Sequence, residues 1–164
     1  MGPIEAGTLR PSRAAVSWRD TGRAMSEEST TSDLDELIRR SIEAFNRGDL
    51  DAAVTIYTPD AVWDISWAGL GVHRGREAIR GFFEDWRGSY EDFEQVLEEF
   101  RDFGKGVTLF IGIQRGRPRG SDRWLQFRWG AVATWADGLL EYVMNYASPD
   151  EARAAAERLA AERN

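Results

Sequence analysis

The stretch AFNRGDLDAAVTIYTPDAVWDISWAG, residues 44–69, decides the fold. Its first residues end a helix whose apolar side chains Leu34, Leu37, Ile38, Ile42 and Phe45 form one stripe at the 3.6-residue period. Ser32 is placed to cap the start of that helix, with Asp35 at the third helical position. Gly48 supplies the left-handed stop. Asp49 then caps a second helix, LDAAVTIY (50–57), which Pro59 closes. AVWDISW (61–67) predicts a strand: Val62, Asp64 and Ser66 point one way, Trp63, Ile65 and Trp67 the other. The face with two Trp and an Ile is the buried one. Two helices and an aromatic strand in this order read as the wall and floor of a pocket.

Outward from this stretch, Ile79, Phe82, Phe83 and Trp86 predict a third helix over 76–87, with Gly88 beyond its end. Residues 91–103, EDFEQVLEEFRDF, are open between helix and strand: the spacing of Phe93, Val96, Leu97 and Phe100 suits a helix. Strands follow at 106–115, 122–136 and 139–147. They are joined by turns at 115–121 (RGRPRGS) and at Asp137-Gly138. SPDE at 148–151 opens a last helix with Ser148 as cap and Pro149 at the first position. Its continuation is Ala-rich and weakly amphipathic, which predicts loose packing.

Residues 1–32 have scattered Pro, Gly, Ser and Arg and no sustained apolar period, so they are read as a disordered tail before a single domain at 33–164. No apolar run follows the early charges as in a secretory signal, and Ala6 stands where a myristoylation signal wants Ser or Thr. MSEESTTSDLDEL reads as an ordinary N-terminus, which makes Met25 an alternative start. No apolar run approaches the roughly 20 residues of a membrane span. Cytoplasmic residence is the expectation.

Seven Trp and eight Phe favour a packed core or an aromatic-lined cavity. Without Cys there is neither a disulfide nor a thiolate metal site, and one His cannot build a multi-His site, so no metal or cofactor is expected. A net charge of −7 disfavours nucleic acid and anionic membranes as partners. Arg115, Arg117 and Arg119 are then a solvated hairpin tip rather than a nucleic-acid patch.

Helices followed by a run of strands give an α+β class. EAFNRGDLDAAVTIYTPDAVWDI, then HRGREAIRGFFEDW, then TWADGLLEYVMNYASPDEA resemble the SnoaL-like branch of the nuclear transport factor 2-like superfamily over roughly residues 33–155. The resemblance implies a curved antiparallel sheet wrapped as a cone on three N-terminal helices, with a C-terminal helix added, and it would make residues 91–103 a strand. It implies an apolar pocket on the concave face and a homodimer through the convex face. Activity is left open, because the superfamily includes isomerases, cyclases, hydrolases, dehydratases and members that only bind.

In ketosteroid isomerases of this group a helix-1 Tyr, a first-strand Asp and a penultimate-strand Asp handle protons. The resemblance sets Ser41, Ile65 and Ala131 at those positions, and none of these can do that chemistry. The carboxylate sets of the cyclases and epoxide hydrolases have no match here residue by residue. The remaining candidate acids and bases are His73 before helix 3, Asp64 and Glu141. Each also has a plainer reading, as a loop-anchoring imidazole, an Arg-paired strand carboxylate and a wet hairpin carboxylate. The expected ligand-binding residues are Trp63, Ile65, Trp67, Phe83, Trp86, Trp129, Ala131, Val143 and Asn145. Asn145 is the polar group expected deepest in the pocket, an amide that orients a carbonyl or hydroxyl. Glu141, Val143 and Asn145 are expected to share the pocket face, and Arg128 to pair with an acid on the other face. The function expected is binding of a small apolar or aromatic molecule. The alternative is an isomerase, cyclase or hydrolase acting on a polyketide- or terpenoid-like substrate.

Overall fold

The structure, a computed structural model, describes residues 24–163, and side chains from Thr31 onward. Helix α1 is Ala24–Arg47 and α2 is Leu50–Ala53. Strand β1 is Tyr57–Asp64, followed by a 3-10 turn at Ser66–Ala68 and β2 at Val72–Arg74. Helix α3 is Arg76–Gly88. Strands β3 (Tyr90–Asp102), β4 (Val107–Pro118), β5 (Leu125–Ala136) and β6 (Leu139–Tyr146) precede α4, Pro149–Glu162. The strands form one sheet in the order β2-β1-β6-β5-β4-β3.

Several expectations change. The sheet is mixed, because β1 runs parallel to β6 while every other pair is antiparallel. The second helix is a four-residue turn capped by Asp49, whose side chain accepts from the Ala52 amide. The β-branched run Val54, Thr55, Ile56 favours extension, so Tyr57 already belongs to β1 and Pro59 lies within it. Ser32 lies inside α1 rather than at its cap, so the helix reaches back into the tail expected at 1–32, past Met25. The rest of that tail, residues 1–23, lies outside the described residues. Of residues 91–103, all but Phe103 resolve as strand, within β3.

One face of the sheet carries α1 and α3. Leu34, Ile38 and Phe45 of α1 and Ile79 and Phe83 of α3 are buried against Leu97, Phe110, Ala131, Ala133 and Val143. The other face carries α4. Ser148 caps α4 by accepting from the Glu151 amide, and Ala152, Ala155 and Ala156 are buried on Val107, Leu109, Ile111, Val132 and Met144. The Ala-rich helix is therefore a closely docked one: small side chains let the helix approach the sheet. The outer face beyond α4 is a ladder of ions, Arg128–Glu98 at 2.9 Å and Arg115–Glu94 at 3.7 Å. Arg117–Asp92 and Arg119–Glu91 continue it at 2.7 and 3.2 Å; Arg115 and Arg117 are strand residues paired across to β3 acids, while Arg119 lies in the expected turn just beyond β4. The face expected to pair two copies is thus shared between α4 and this ladder.

Arg87 ties the two inner helices together. Its guanidinium donates to the carbonyls of Phe45 (2.8 Å) and Asn46 in the last turn of α1, before Gly48 turns the chain at φ 83°. The Phe45 carbonyl also accepts from the Gly48 amide at 3.0 Å, and both carbonyls stand at the negative end of the helix dipole. Arg87→Ala is expected to cost about 1–3 kcal/mol in urea unfolding. Arg87→Lys should recover only part of that, since an ammonium lacks the planar fork that reaches both oxygens. An unchanged midpoint for Arg87→Ala would remove this role.

Candidate functional site

Between the inner sheet face, α1 and α3 lies a half-open cavity of about 110 Å³. Helix α1 contributes Ile38, Ser41, Ile42 and Phe45; α3 contributes Phe82, Phe83 and Trp86. The sheet side is Tyr57 and Trp63 of β1, Ile65 just beyond it, Phe127, Trp129 and Ala131 of β5, and Leu140, Val143 and Asn145 of β6. The strand alternation explains the selection. Trp63, Trp129, Ala131 and Asn145 lie on the inner face, while Asp64, Arg128 and Tyr142 lie on the outer. Phe83 is the centre of an edge-to-face cluster, 5.1 Å from Phe45 and 5.4 Å from Trp63.

Of the residues expected to line the pocket, Trp63, Ile65, Phe83, Trp86, Trp129, Ala131, Val143 and Asn145 do so. Trp67 does not. The strand ends at Asp64 and the chain enters the 3-10 turn at Ile65, so the alternation that would have turned Trp67 inward is lost. The three candidate acids and bases also lie outside the lining. Asp64 is buried on the outer face, where it accepts from the Ser66 amide (2.9 Å), the Ser66 hydroxyl (2.7 Å) and the Tyr142 hydroxyl (3.4 Å). Its partners are hydroxyls and an amide rather than the expected Arg. Glu141 accepts from Thr134 at 3.3 Å. The pairing shifts there, from Thr134 opposite Tyr142 to Trp135 opposite Leu140, so Glu141 is the extra residue of a bulge. That bulge turns Leu140, not Glu141, into the cavity. His73 stacks on Phe82 with ring centroids 4.3 Å apart, and its Nε2 lies 2.9 Å from the Leu70 carbonyl. It stands behind the aromatic wall.

Ser41, Ile65 and Ala131 all line the cavity. Ser41 donates to the Ala53 carbonyl at 2.7 Å and is used up as a helix–turn tie. Ala131 is directly opposite Asn145 in the β5–β6 ladder, and Ile65 follows Asp64, which pairs with Met144. Asn145 is therefore flanked by an Ala and an Ile. Its amide has no hydrogen-bond partner among the described residues, and the residue is only 5% exposed.

The lining includes polar groups that were not singled out in the sequence. Gln114 accepts from Trp86 Nε1 and donates to the Tyr90 hydroxyl, both at 3.0 Å. Gln95 Oε1 and Trp129 Nε1 are buried without a hydrogen-bond partner among the described residues. The signal for Gln95 was the alternation of Phe93, Gln95 and Leu97 against Glu94, Val96 and Glu98, which a helical reading of 91–103 hides. Tyr57 also lines the cavity. Burial pushes its phenol well above the ordinary tyrosine range, offset in part by a hydrogen bond from Trp63. It stays a neutral hydroxyl at any physiological pH. No Asp, Glu, His, Lys or Arg is among the lining residues described. Among the described residues no three His, Asp or Glu gather as a metal site, and no helix is long and apolar enough to cross a membrane.

No curated protein matches this sequence. Solved structures do. An NTF2-like protein of unknown function from Burkholderia pseudomallei is 20% identical with a TM-score of 0.61, covering 73% of this chain and 93% of that one. A polyketide cyclase candidate from Xanthomonas campestris pv. campestris is 21% identical (TM-score 0.59; 77% and 98% covered). TerC, co-crystallized with polyporic acid, is 16% identical (TM-score 0.61; 76% and 98% covered). At these identities the likeness is one of fold. The model of the SnoaL-like domain matches residues 38–143, from α1 through β6, most of the chain and nearly all of the cavity wall. The chain belongs to the SnoaL-like domain family.

Proposed function

We propose that this protein holds an uncharged, largely apolar small molecule in the cavity and does not itself transform it by acid–base chemistry. The observation that carries this reading is the lining: aromatic and aliphatic rings with hydroxyls and amides, and no group that titrates near neutrality. General acid–base catalysis needs a group whose pKa lies near the working pH. Amides and a phenol raised by burial do not provide one. A charged ligand would lose its hydration with no opposite charge to replace it. Size narrows the reading further. About 110 Å³ is somewhat below the roughly 150 Å³ cavity that takes up benzene in another protein, so about one aromatic ring is enclosed and any remainder extends through the mouth. TerC, a neighbour in fold, was co-crystallized with polyporic acid, which supports a small-molecule occupant by analogy of fold.

The test is native mass spectrometry of the protein isolated from its source. A retained neutral compound that is released unchanged on denaturation is the expected result. Conversion of that compound to a new product on prolonged incubation would establish an isomerase, cyclase or hydrolase instead. Binding should also be flat from about pH 5.5 to about pH 9, because no lining group changes charge there. A tenfold change in affinity across that range would place a titrating group in the site. Stability should behave differently at the alkaline end. Above about pH 10 the unfolded chain loses the Tyr57 proton before the folded one does, so stability falls as pH rises further.

A further inference from the structure

We infer that Asn145 is the specificity-determining residue of the cavity and selects ligands that place a hydroxyl or carbonyl oxygen at its buried end. This rests on the binding reading above and adds the ligand's chemical class: an uncharged, oxygenated, single-ring head group. Two observations converge. Asn145 sits in an otherwise apolar corner, opposite Ala131 and beside Val143 and Ile65, all of which line the cavity. Its side chain is buried with two donors and an acceptor unmet by any described residue.

A core position that needed only packing would be filled by Leu, which has the same shape and no polar atoms to strip of water. Burying an amide unpaired is unfavourable. The neighbours make the pattern sharper. Ala131 is too short to reach Asn145 and Ile65 has nothing to offer it, so the amide's free hydrogen bonds point at the space where a ligand would lie. An amide both donates and accepts, so it serves a phenol, an alcohol or a ketone. It offers no charge to a carboxylate or an amine. The subsite therefore reads oxygen without reading acidity.

The experiment compares toluene with phenol, which differ by methyl against hydroxyl on the same ring, by NMR titration of the whole protein and of Asn145→Leu. Asn145→Leu keeps the branched four-atom outline without its polar atoms and should fold; Asn145→Ser, shorter and still hydrogen-bonding, is the second variant. The expected result is that the affinity ratio of phenol to toluene falls about tenfold or more in Asn145→Leu while toluene binding is kept. In Asn145→Ser the ratio should lie between the two. A ratio that does not change in Asn145→Leu overturns the subsite and leaves the binding cavity standing. Benzoate bound as tightly as phenol also overturns the subsite. If wild-type protein takes up neither toluene nor phenol, the binding reading itself fails and this inference falls with it.

Discussion

Gly130→Val should be the most damaging single substitution in the sheet, lowering stability by about 3 kcal/mol or more and Tm by roughly 10 °C. Gly130 lies under the start of α4. A Cβ at this position would stand 2.6 Å from Ala152 Cβ and 3.2 Å from Pro149 Cα. The first neighbour is a methyl fixed to a helix, the second is backbone, and neither can rotate away. The helix must lift from β5, and its lifting opens Val107, Leu109 and Val132, which are fully buried beneath it. Urea unfolding measures the loss. Faster proteolysis within α4 of the folded protein would show that the helix is what moved. A compensating pair isolates the contact: Gly130→Ala should be markedly less harmful when combined with Ala152→Gly, despite the roughly 1 kcal/mol that a helical Gly costs. Equal midpoints for wild type and Gly130→Val would mean that α4 docks without this close approach.

The sequence made the inner face of the site readable and hid its edges. Period-two alternation is geometric, so Trp63 against Asp64, and Trp129 against Arg128, sort correctly wherever the strand is continuous. In the cavity wall the alternation misleads where the period breaks. Trp67 was carried inward by an alternation that ends at Asp64, because nothing local in Ile65-Ser66-Trp67 announces a 3-10 turn. Glu141 was carried inward by counting back from Asn145 through a bulge whose register is set by pairing with β5, a tertiary fact. The second helix is short for a local reason: Val54, Thr55 and Ile56 prefer extension, and an Asp cap starts a helix without prolonging it. The Arg cluster was legible in composition but not in pairing. Its acids, Glu94, Asp92 and Glu91, sit in the segment whose strand or helix character the spacing left open. Asn145 was legible in position. Its lack of a partner was not, since that depends on Ala131 and Ile65 standing beside it in space.

The wall of the cavity depends on a second glycine, and Gly112→Ala is expected to damage both stability and binding. Gly112 is directly opposite Trp129 in the β4–β5 ladder, and the indole lies across it. A Cβ there would stand 2.4 Å from Trp129 Cζ2, 2.7 Å from Cε2 and 3.0 Å from the Val96 carbonyl oxygen. The strand backbone cannot retreat from the carbonyl without disturbing β3, so the indole must swing off β4. The open space available to it is the cavity. Loss of flat packing should cost about 1–3 kcal/mol, against which the stiffer unfolded chain of an Ala variant returns less than about 1 kcal/mol. The displaced ring should occupy the ligand's place, lowering toluene affinity by more than about tenfold, a larger effect than the destabilisation alone would give a protein that is still folded. Gly112→Ala combined with Trp129→Leu removes the clashing ring and separates the two consequences. Toluene binding should return in the double variant if the indole was the obstruction. If binding stays lost, the sheet rather than the ring has moved, and the cavity's shape is set by the backbone of β4. In either case the conformation of one residue without a side chain decides whether three tryptophans, Trp63, Trp86 and Trp129, surround a hollow or fill it.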